Sequence, residues 1–453
     1  MGLTDRLNPD ASNDAQSFLS NTALAAIEIA GQDSSWIKSL RQEVSETLIR
    51  EAGTDIKSGR LIGKQLQNRV MEIVGKKLDE RKIPLTEVDR QKIVQLVIDE
   101  LLGNGPIEPF LRDPDVTEVM VNGHQNIYIE RKGKITKTDV QFESEEHLRD
   151  VIERICTRVG RRIDESSPTV DARLLNGSRV NAVIPPIAID GSSLTIRKFA
   201  AEPLTYQDLL KFETFDEPTL EFLRACVQAK LNIIISGGTG SGKTTTLNVL
   251  SSFIGSDERI ITIEDSAELQ LKKEHVIRLE SRPANIEGKG TVSIRDLVRN
   301  ALRMRPDRIV VGEVRDEAAL DMLQAMNTGH EGSLTTVHAN SPREAISRIE
   351  TMVLMAGMDF PMRAIREQIH QSIDLIIQQS RVRDGSRKIT SIVEITGIDG
   401  DTIQIQELFR FNYSKDTSSD SVGTLQPTGI VPTFENKFVA RKVQLDRRVF
   451  IPR

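Results

Sequence analysis

The chain has 453 residues, 38% apolar and 28% charged, which marks a folded globular protein of about three domains and excludes a disordered chain. A net charge of −6 argues against a surface built throughout for nucleic acid, and two cysteines are too few for a disulfide framework or a four-cysteine zinc site. No apolar run approaches the ~20 residues that span a bilayer, so the expectation is a cytoplasmic protein that meets membranes only through partners.

Residues 1–33 are polar, rich in Asn, Asp and Ser, and read as a flexible tail. A helical module is expected over 34–105. In its last helix Ile93, Val94, Val97, Ile98, Leu101 and Leu102 recur on one face; Thr86 and Asp89 make a capping-box start, and GNGP at Gly103–Pro106 a stop. Period two then takes over in an α+β domain spanning 106–199. VTEVMVNG, NIYIE and KITKTDVQF read as strands with turns at Asn122-Gly123 and Lys132-Gly133. A helix from about Ser144 to Val159 follows, and ARLLNGSRVNAVIPP and SSLTIRKF return to strand. Cys156 and Cys226 sit in apolar helical patterns as small core residues, and Arg158, Arg161 and Arg162 read as a solvated helix end. Residues 200–217 form a linker with a short helix around Tyr206 to Phe212. From 218 to 411 the strands NIIIS, RIITIED, DRIVVGE, SLTTVHA, DLIIQQS and SIVEITGI alternate with helices, the pattern of a mostly parallel sheet. Residues 412–453, containing SKDTSSDS, read as a polar loop and a weakly patterned tail.

The strongest chemical signal is GGTGSGKT. Gly237, Gly238, Thr239, Gly240, Ser241, Gly242, Lys243 and Thr244 match G-x-x-x-x-G-K-[ST] between a β-branched strand and a helix that continues with Thr245. Glycines let the backbone curl so that successive N–H groups face phosphates, and the helix N-terminus adds its positive end. Lys243 then neutralises the β/γ-phosphates of ATP, and the Thr244 hydroxyl ligates Mg²⁺. Glu264 and Asp265 end the next buried strand, where ligands of open parallel sheets bind, and can orient a water or hold Mg²⁺. Glu313 ends a third strand after the small Gly312, as a further group for Mg²⁺ or its waters. His330 and His338 flank a fourth strand; without a tight ligand cluster, γ-phosphate sensing competes there with a structural role. Arg173, Arg179 and Arg197 are either surface ion pairs or the arginines that spread transition-state charge.

In this order, GGTGSGKTT, ITIEDSAEL, RPDRIVVGEVR and TGHEGSLTTVHAN resemble the Walker A, Asp box, atypical Walker B and His box of the secretion ATPase superfamily, the motors of type II and type IV secretion and of type IV and Tad pili. DARLLNGSRVNAVIPP with SLTIRKF resembles the end of that family's N-terminal domain, and SRVRDGSRKITSIVEITG followed by IQIQELFRF resembles its CpaF/Tad pilus group. The resemblance covers about Val88 to Phe411. It implies an α/β fold with a RecA-like P-loop core, a preceding PAS-like α+β domain and a homo-hexameric ring. It further implies Glu264 as the group that activates water, Glu313 as the Walker B acid, and arginines of the N-terminal domain against the phosphates. The absent four-cysteine module favours the Tad or type IV secretion branches.

The function implied is ATP hydrolysis coupled to assembly, with or without retraction, of a Tad-like pilus through inner-membrane platform proteins, with no nucleic acid involved. An ATPase of a type IV secretion system is the alternative. A RecA-like nucleic-acid motor and a nucleotide-gated scaffold with little turnover are the remaining readings.

Overall fold

Three helices begin the described chain because apolar residues recur there at helical spacing. Leu40, Val44 and Leu48 of α1 (Ser35–Lys57) meet Val70, Ile73 and Val74 of α2 (Gly63–Arg81) and Ile93, Val97 and Ile98 of α3 (Glu87–Leu101) in one buried cluster. The Thr86 side chain caps α3 by accepting the Asp89 N–H. This computed structural model describes residues 35–57, 61, 63–82, 86–131, 133–174, 176–199, 203–282, 284, 289–357, 360–414 and 423–452. The expected tail over 1–33, the Lys132 turn position and most of the SKDTSSDS stretch lie outside these residues. The chain divides into two compact units, Met1–Ala201 and Glu202–Arg453.

The first unit continues with α4 (Glu108–Arg112) and a wholly antiparallel sheet in the order β3-β2-β1-β6-β5-β4. Its strands are β1 (Val116–Asn122), β2 (Ile127–Arg131), β3 (Lys134–Lys137), β4 (Thr169–Arg173), β5 (Arg179–Val183) and β6 (Ser193–Arg197). Helix α5 (Glu145–Arg158) packs Leu148, Val151, Ile152, Ile155 and Cys156 onto its core. KITKTDVQF is strand only over its first four residues, all exposed at a sheet edge. Beyond them the chain leaves the edge and buries Phe142, whose N–H meets the His124 carbonyl. The three helices are tied to this domain by charge: Arg41 bridges Glu100 and Glu143, and Arg112 pairs with the buried Asp99.

The second unit opens with α6 (Tyr206–Lys211) and α7 (Glu217–Gln228) and is built on a nine-stranded sheet in the order β15-β14-β13-β12-β7-β11-β10-β8-β9. The strands are β7 (Ile233–Gly237), β8 (Ile260–Glu264), β9 (Val276–Glu280), β10 (Arg308–Val311), β11 (Leu334–Val337), β12 (Leu375–Arg381), β13 (Arg387–Asp399), β14 (Thr402–Tyr413) and β15 (Gly423–Pro427). From β12 to β9 the neighbours are parallel, and β13, β14 and β15 extend the sheet antiparallel. Helices cover both faces, which is why the central strands read as continuous apolar runs. Ile233 and Ile235 face α7 and α8 (Lys243–Ser251), whereas Ile234 faces the core shared with α9 (Ile294–Ala301), α10 (Ala318–Asn327), α11 (Pro342–Met355) and α12 (Met362–Ser372). This is the expected α/β fold with a RecA-like parallel core.

The reading of 412–453 as a tail is corrected. Strand β15 joins the sheet, α13 (Glu435–Ala440) follows, and Leu425, Phe434, Phe438, Val449 and Phe450 are buried in the core beside α7. Phe450 packs edge-on to Phe222 at 5.5 Å and meets Phe409 at 6.1 Å. Its apolar residues anchor singly at irregular spacing, so no period announces them. Among the described residues no helix is long and apolar enough to cross a membrane.

Candidate nucleotide site

Strand β7 is fully buried and delivers the glycine-rich loop to the carboxyl edge of the parallel sheet. Gly240 and Gly242 take φ of +70° and +95°, and Gly242 is the left-handed N-cap from which α8 starts. A Cβ on Gly237 would stand 2.3 Å from the Gln379 carbonyl oxygen and 2.5 Å from Ser241 Oγ, so only glycine fits. The Gly238 carbonyl accepts from Ser241 Oγ at 2.9 Å and from Lys243 Nζ at 2.9 Å. Thr239 and Gly240 are exposed, while Thr244 and Thr245 are half-buried in the first turn of α8.

Around Lys243 the ends of three strands converge. Its Nζ lies 3.4 Å from His338 Nε2, just past β11, and His338 Nε2 lies 3.2 Å from Glu313 Oε1, just past β10. Arg315 closes the group, with Nη2 at 2.7 Å from Glu313 and Nη1 at 3.9 Å from Asp265, beyond β8. Burial, joined by Arg315, pulls the Lys243 ammonium below its ordinary pKa, against the pull of Glu313. Burial and the charge of Lys243 lower His338, which favours a neutral imidazole at pH 7.

Glu264 occupies a different environment. It is 3% exposed, and its Oε2 accepts the N–H groups of Glu268 (2.7 Å) and Leu269 (3.0 Å), while Oε1 is buried with no partner among the described residues. Burial outweighs those two bonds and pushes its pKa up to about 7. A Cβ at Gly312 would stand 2.8 Å from Glu264 Cγ, so the glycine before Glu313 makes room for this side chain. Asp265 itself is exposed and accepts from Ser281 Oγ at 3.1 Å.

Two placements differ from the sequence reading. His330 precedes β11, and β11 runs parallel to β7, so His330 lies at the amino edge of the sheet, opposite the glycine-rich loop. Its Nδ1 is buried without a partner among the described residues and its carbonyl accepts from Ser333 Oγ. Its expected place beside the γ-phosphate within this chain is therefore corrected: with β11 parallel to β7, a residue before the strand takes the edge away from the glycine-rich loop. Arg173, Arg179 and Arg197 lie in the first unit, directly opposite one another across β4, β5 and β6. Arg179 pairs with Asp171 at 2.9 Å, Arg173 stacks on Phe199 at 5.7 Å, and Arg197 stands opposite Glu118.

Sequence reasoning missed Arg315, Gln378, Gln379 and Arg387. The Gln378 amide and Ser236 hydroxyl both donate to the Ala339 carbonyl, next to His338, at 3.2 and 3.4 Å. Thr336 donates to the Gly312 carbonyl at 2.7 Å, next to Glu313. Gln379 accepts from Thr246 of α8 at 2.8 Å, and Arg387 Nε donates to the Gly240 carbonyl at 3.0 Å. Two consecutive glutamines directly after the apolar run Leu375–Ile377 were the available signal for that pair; Arg387 gave none.

Residues 100–421 match the family described as type II/IV secretion system protein. A putative conjugal transfer protein of Mycobacterium tuberculosis is 36% identical over 307 residues, which are 66% of this chain and 87% of that protein. The conjugal transfer protein TrbB of Rhizobium radiobacter is 32% identical over 292 residues, 63% of this chain and 86% of that protein. Among solved structures, the VirB11 ATPase of the Brucella suis type IV secretion system, crystallised with sulphate, is 30% identical with a TM-score of 0.36, over 64% of this chain and 92% of that chain.

Proposed function

Because this chain belongs to the type II/IV secretion system protein family, we propose that it is an ATP-hydrolysing motor whose site is the cluster around Lys243. The observation that carries this reading is the convergence of Lys243, His338, Glu313, Arg315 and Asp265 at the strand ends beside the glycine-rich loop. The loop N–H groups from Gly238 to Thr245 cradle the phosphates, and Lys243 moves from the Gly238 carbonyl to the β/γ-phosphates. Glu264 accepts the proton of the attacking water. His338, held neutral with its one N–H on Nε2, gives that hydrogen bond to Glu313 before nucleotide binds and turns it to the γ-phosphate when nucleotide is bound. The donor set of Thr244, Glu313 and Asp265 is oxygen only, which fits Mg²⁺ held partly through its own waters. That ion would neutralise charge on the phosphates.

The arginine row of Arg173, Arg179 and Arg197 supports a site completed by the first unit of the same or a neighbouring chain. A homo-hexameric ring acting on inner-membrane platform proteins to assemble a Tad-like pilus is the specific reading, supported by SRVRDGSRKITSIVEITG. The conjugal transfer relatives favour a second reading, transfer of protein or DNA by a type IV secretion system. Purified protein should hydrolyse ATP; Lys243→Ala should lose nucleotide binding and turnover together, and Glu264→Gln should bind ATP without turnover. Binding without any turnover in the wild type would instead identify a nucleotide-gated scaffold. Loss of pili on deletion of the gene, with substrate transfer intact, would separate the pilus reading from the secretion one.

A further inference from the structure

We propose that Arg387, at the start of β13, is a positioning residue that holds the phosphate loop in its anion-binding curl. The proposal rests on the reading of that loop as a nucleotide site. Arg387 Nε donates to the Gly240 carbonyl at 3.0 Å, although 147 residues separate the two in sequence. Gly240 is exposed, has φ +70°, and nothing stands within 4 Å of where its Cβ would be. Nothing packs on that face of Gly240, so the Arg387 bond is a hold on this peptide from outside the loop. An anion-binding loop requires its N–H groups to point inward, and a flipped peptide would instead aim a carbonyl at the phosphates. With the Gly240 oxygen drawn to Arg387, the N–H that follows, on Ser241, points across the loop to the Gly238 carbonyl at 3.4 Å.

The same side chain lies on the second curl of the loop. A Cβ at Gly242 would stand 3.2 Å from Arg387 Cδ and 3.0 Å from Gln379 Nε2. Gln379 in turn accepts from Thr246, so the β12–β13 hairpin grips both the loop and the helix that leaves it. The brace has a firm base. The hairpin closes through Gly385 at φ +85°, with the Val382 N–H on the Ser386 carbonyl at 2.9 Å. Next to Arg387, buried Lys388 donates to the Phe212 carbonyl at 3.1 Å, and the Ile389 N–H donates to the Thr214 carbonyl at 3.0 Å. Among the described residues Arg387 has no carboxylate partner, so this exposed side chain divides its hydrogen bonding between the Gly240 carbonyl and solvent.

The test uses the full chain with Arg387→Ala and Arg387→Lys. Because hydrogen bonds to charged groups are the stronger ones, Arg387→Ala should raise the ATP KM and the Kd for a fluorescent ADP analogue about tenfold. Its kcat at saturating ATP should stay within about twofold of wild type, and Arg387→Lys should recover part of the affinity. Amide hydrogen exchange over 236–243 should be faster in nucleotide-free Arg387→Ala than in nucleotide-free wild type, with exchange in β8 and β10 unchanged. Unchanged KM and unchanged loop exchange would overturn the proposal. So would a fall in kcat at constant KM, which would make Arg387 a transition-state contact, or weaker binding with unchanged loop exchange, which would make it a ligand contact only. If Arg387→Ala does not fold, Arg387→Met, which keeps the stem, carries the same measurements. A wild type that neither binds nor hydrolyses ATP would sink the ATPase reading, while loop exchange in nucleotide-free protein would still decide the brace.

Discussion

Glu264 carries two opposed demands on one carboxyl. Two backbone N–H groups favour its charged form, yet burial wins and places its pKa at about 7. A carboxyl raised in the fold favours stability below its usual pKa, and that stability is lost as pH rises through the folded value. Ionising it costs on the order of 3 kcal/mol for a rise from 4.5 to about 7. Chemical denaturation of wild type should therefore show stability falling between about pH 4.5 and 8, and Glu264→Gln should flatten that decline. Turnover should run the other way, rising with pH through about 7, because only the ionised carboxylate accepts a proton. A pH–kcat profile flat from 6 to 8 would contradict this role. At His338, neutral by burial and by the nearby Lys243, replacement with Ala should cut kcat far more than it weakens ADP binding.

Among the elements, β10 shows how one strand is held at both ends. Its carboxyl end presents Glu313, and its first residue, Arg308, is fully buried at the amino edge. Arg308 donates to Glu258, to the Val227 carbonyl at 2.9 Å and to the Gly332 carbonyl at 3.0 Å, tying α7, β10 and the turn before β11 together. Although burial opposes it, bonding to Arg308 and Lys230 holds the Glu258 pKa down at about 2. The stability this confers is present above the usual carboxyl pKa and is lost as pH falls from about 4.5 toward 2. Glu258→Gln should cost ~3–5 kcal/mol by stranding a buried guanidinium. At Gly332, φ is +82° and a Cβ would stand 1.8 Å from Arg308 Nη1. Gly332→Ala should therefore cost at least ~2 kcal/mol, measurable as a lower urea midpoint at an unchanged slope.

For the whole molecule, the arginines of the first unit carry a charge arrangement with a testable consequence. The row Arg173, Arg179 and Arg197 places three like charges opposite one another, an arrangement that costs free energy unless anions offset it, as Asp171 and Glu118 partly do. A phosphate brought to that row would relieve it further. If the row completes the site between subunits, the ATPase rate per subunit should rise with protein concentration as rings assemble. Arg179→Ala or Arg197→Ala should lower turnover by ~10³-fold or more while leaving assembly, read by light scattering, intact. A dilute, verified monomer with the full rate per subunit would end this reading.

What the sequence determined by itself is what local rules encode. The loop from Gly237 to Thr244 was legible because phosphate binding needs glycines and a lysine at set spacing beside a strand and a helix. Continuous β-branched runs announced the parallel strands, since strands covered on both faces carry no alternation. Tertiary structure alone decided which strand ends meet. The parallel direction of β11 brings His338 to Lys243 and carries His330 to the far edge, although both lie in one short motif. Arg387 reaches Gly240 only because β12 lies beside β7 and turns back through the hairpin. The aromatic residues of 423–450 find a shared core although no period links them. The physical reason is common to all three: periodicity and spacing report what neighbours in the chain do, whereas contacts between distant segments follow from strand order, which no local pattern encodes.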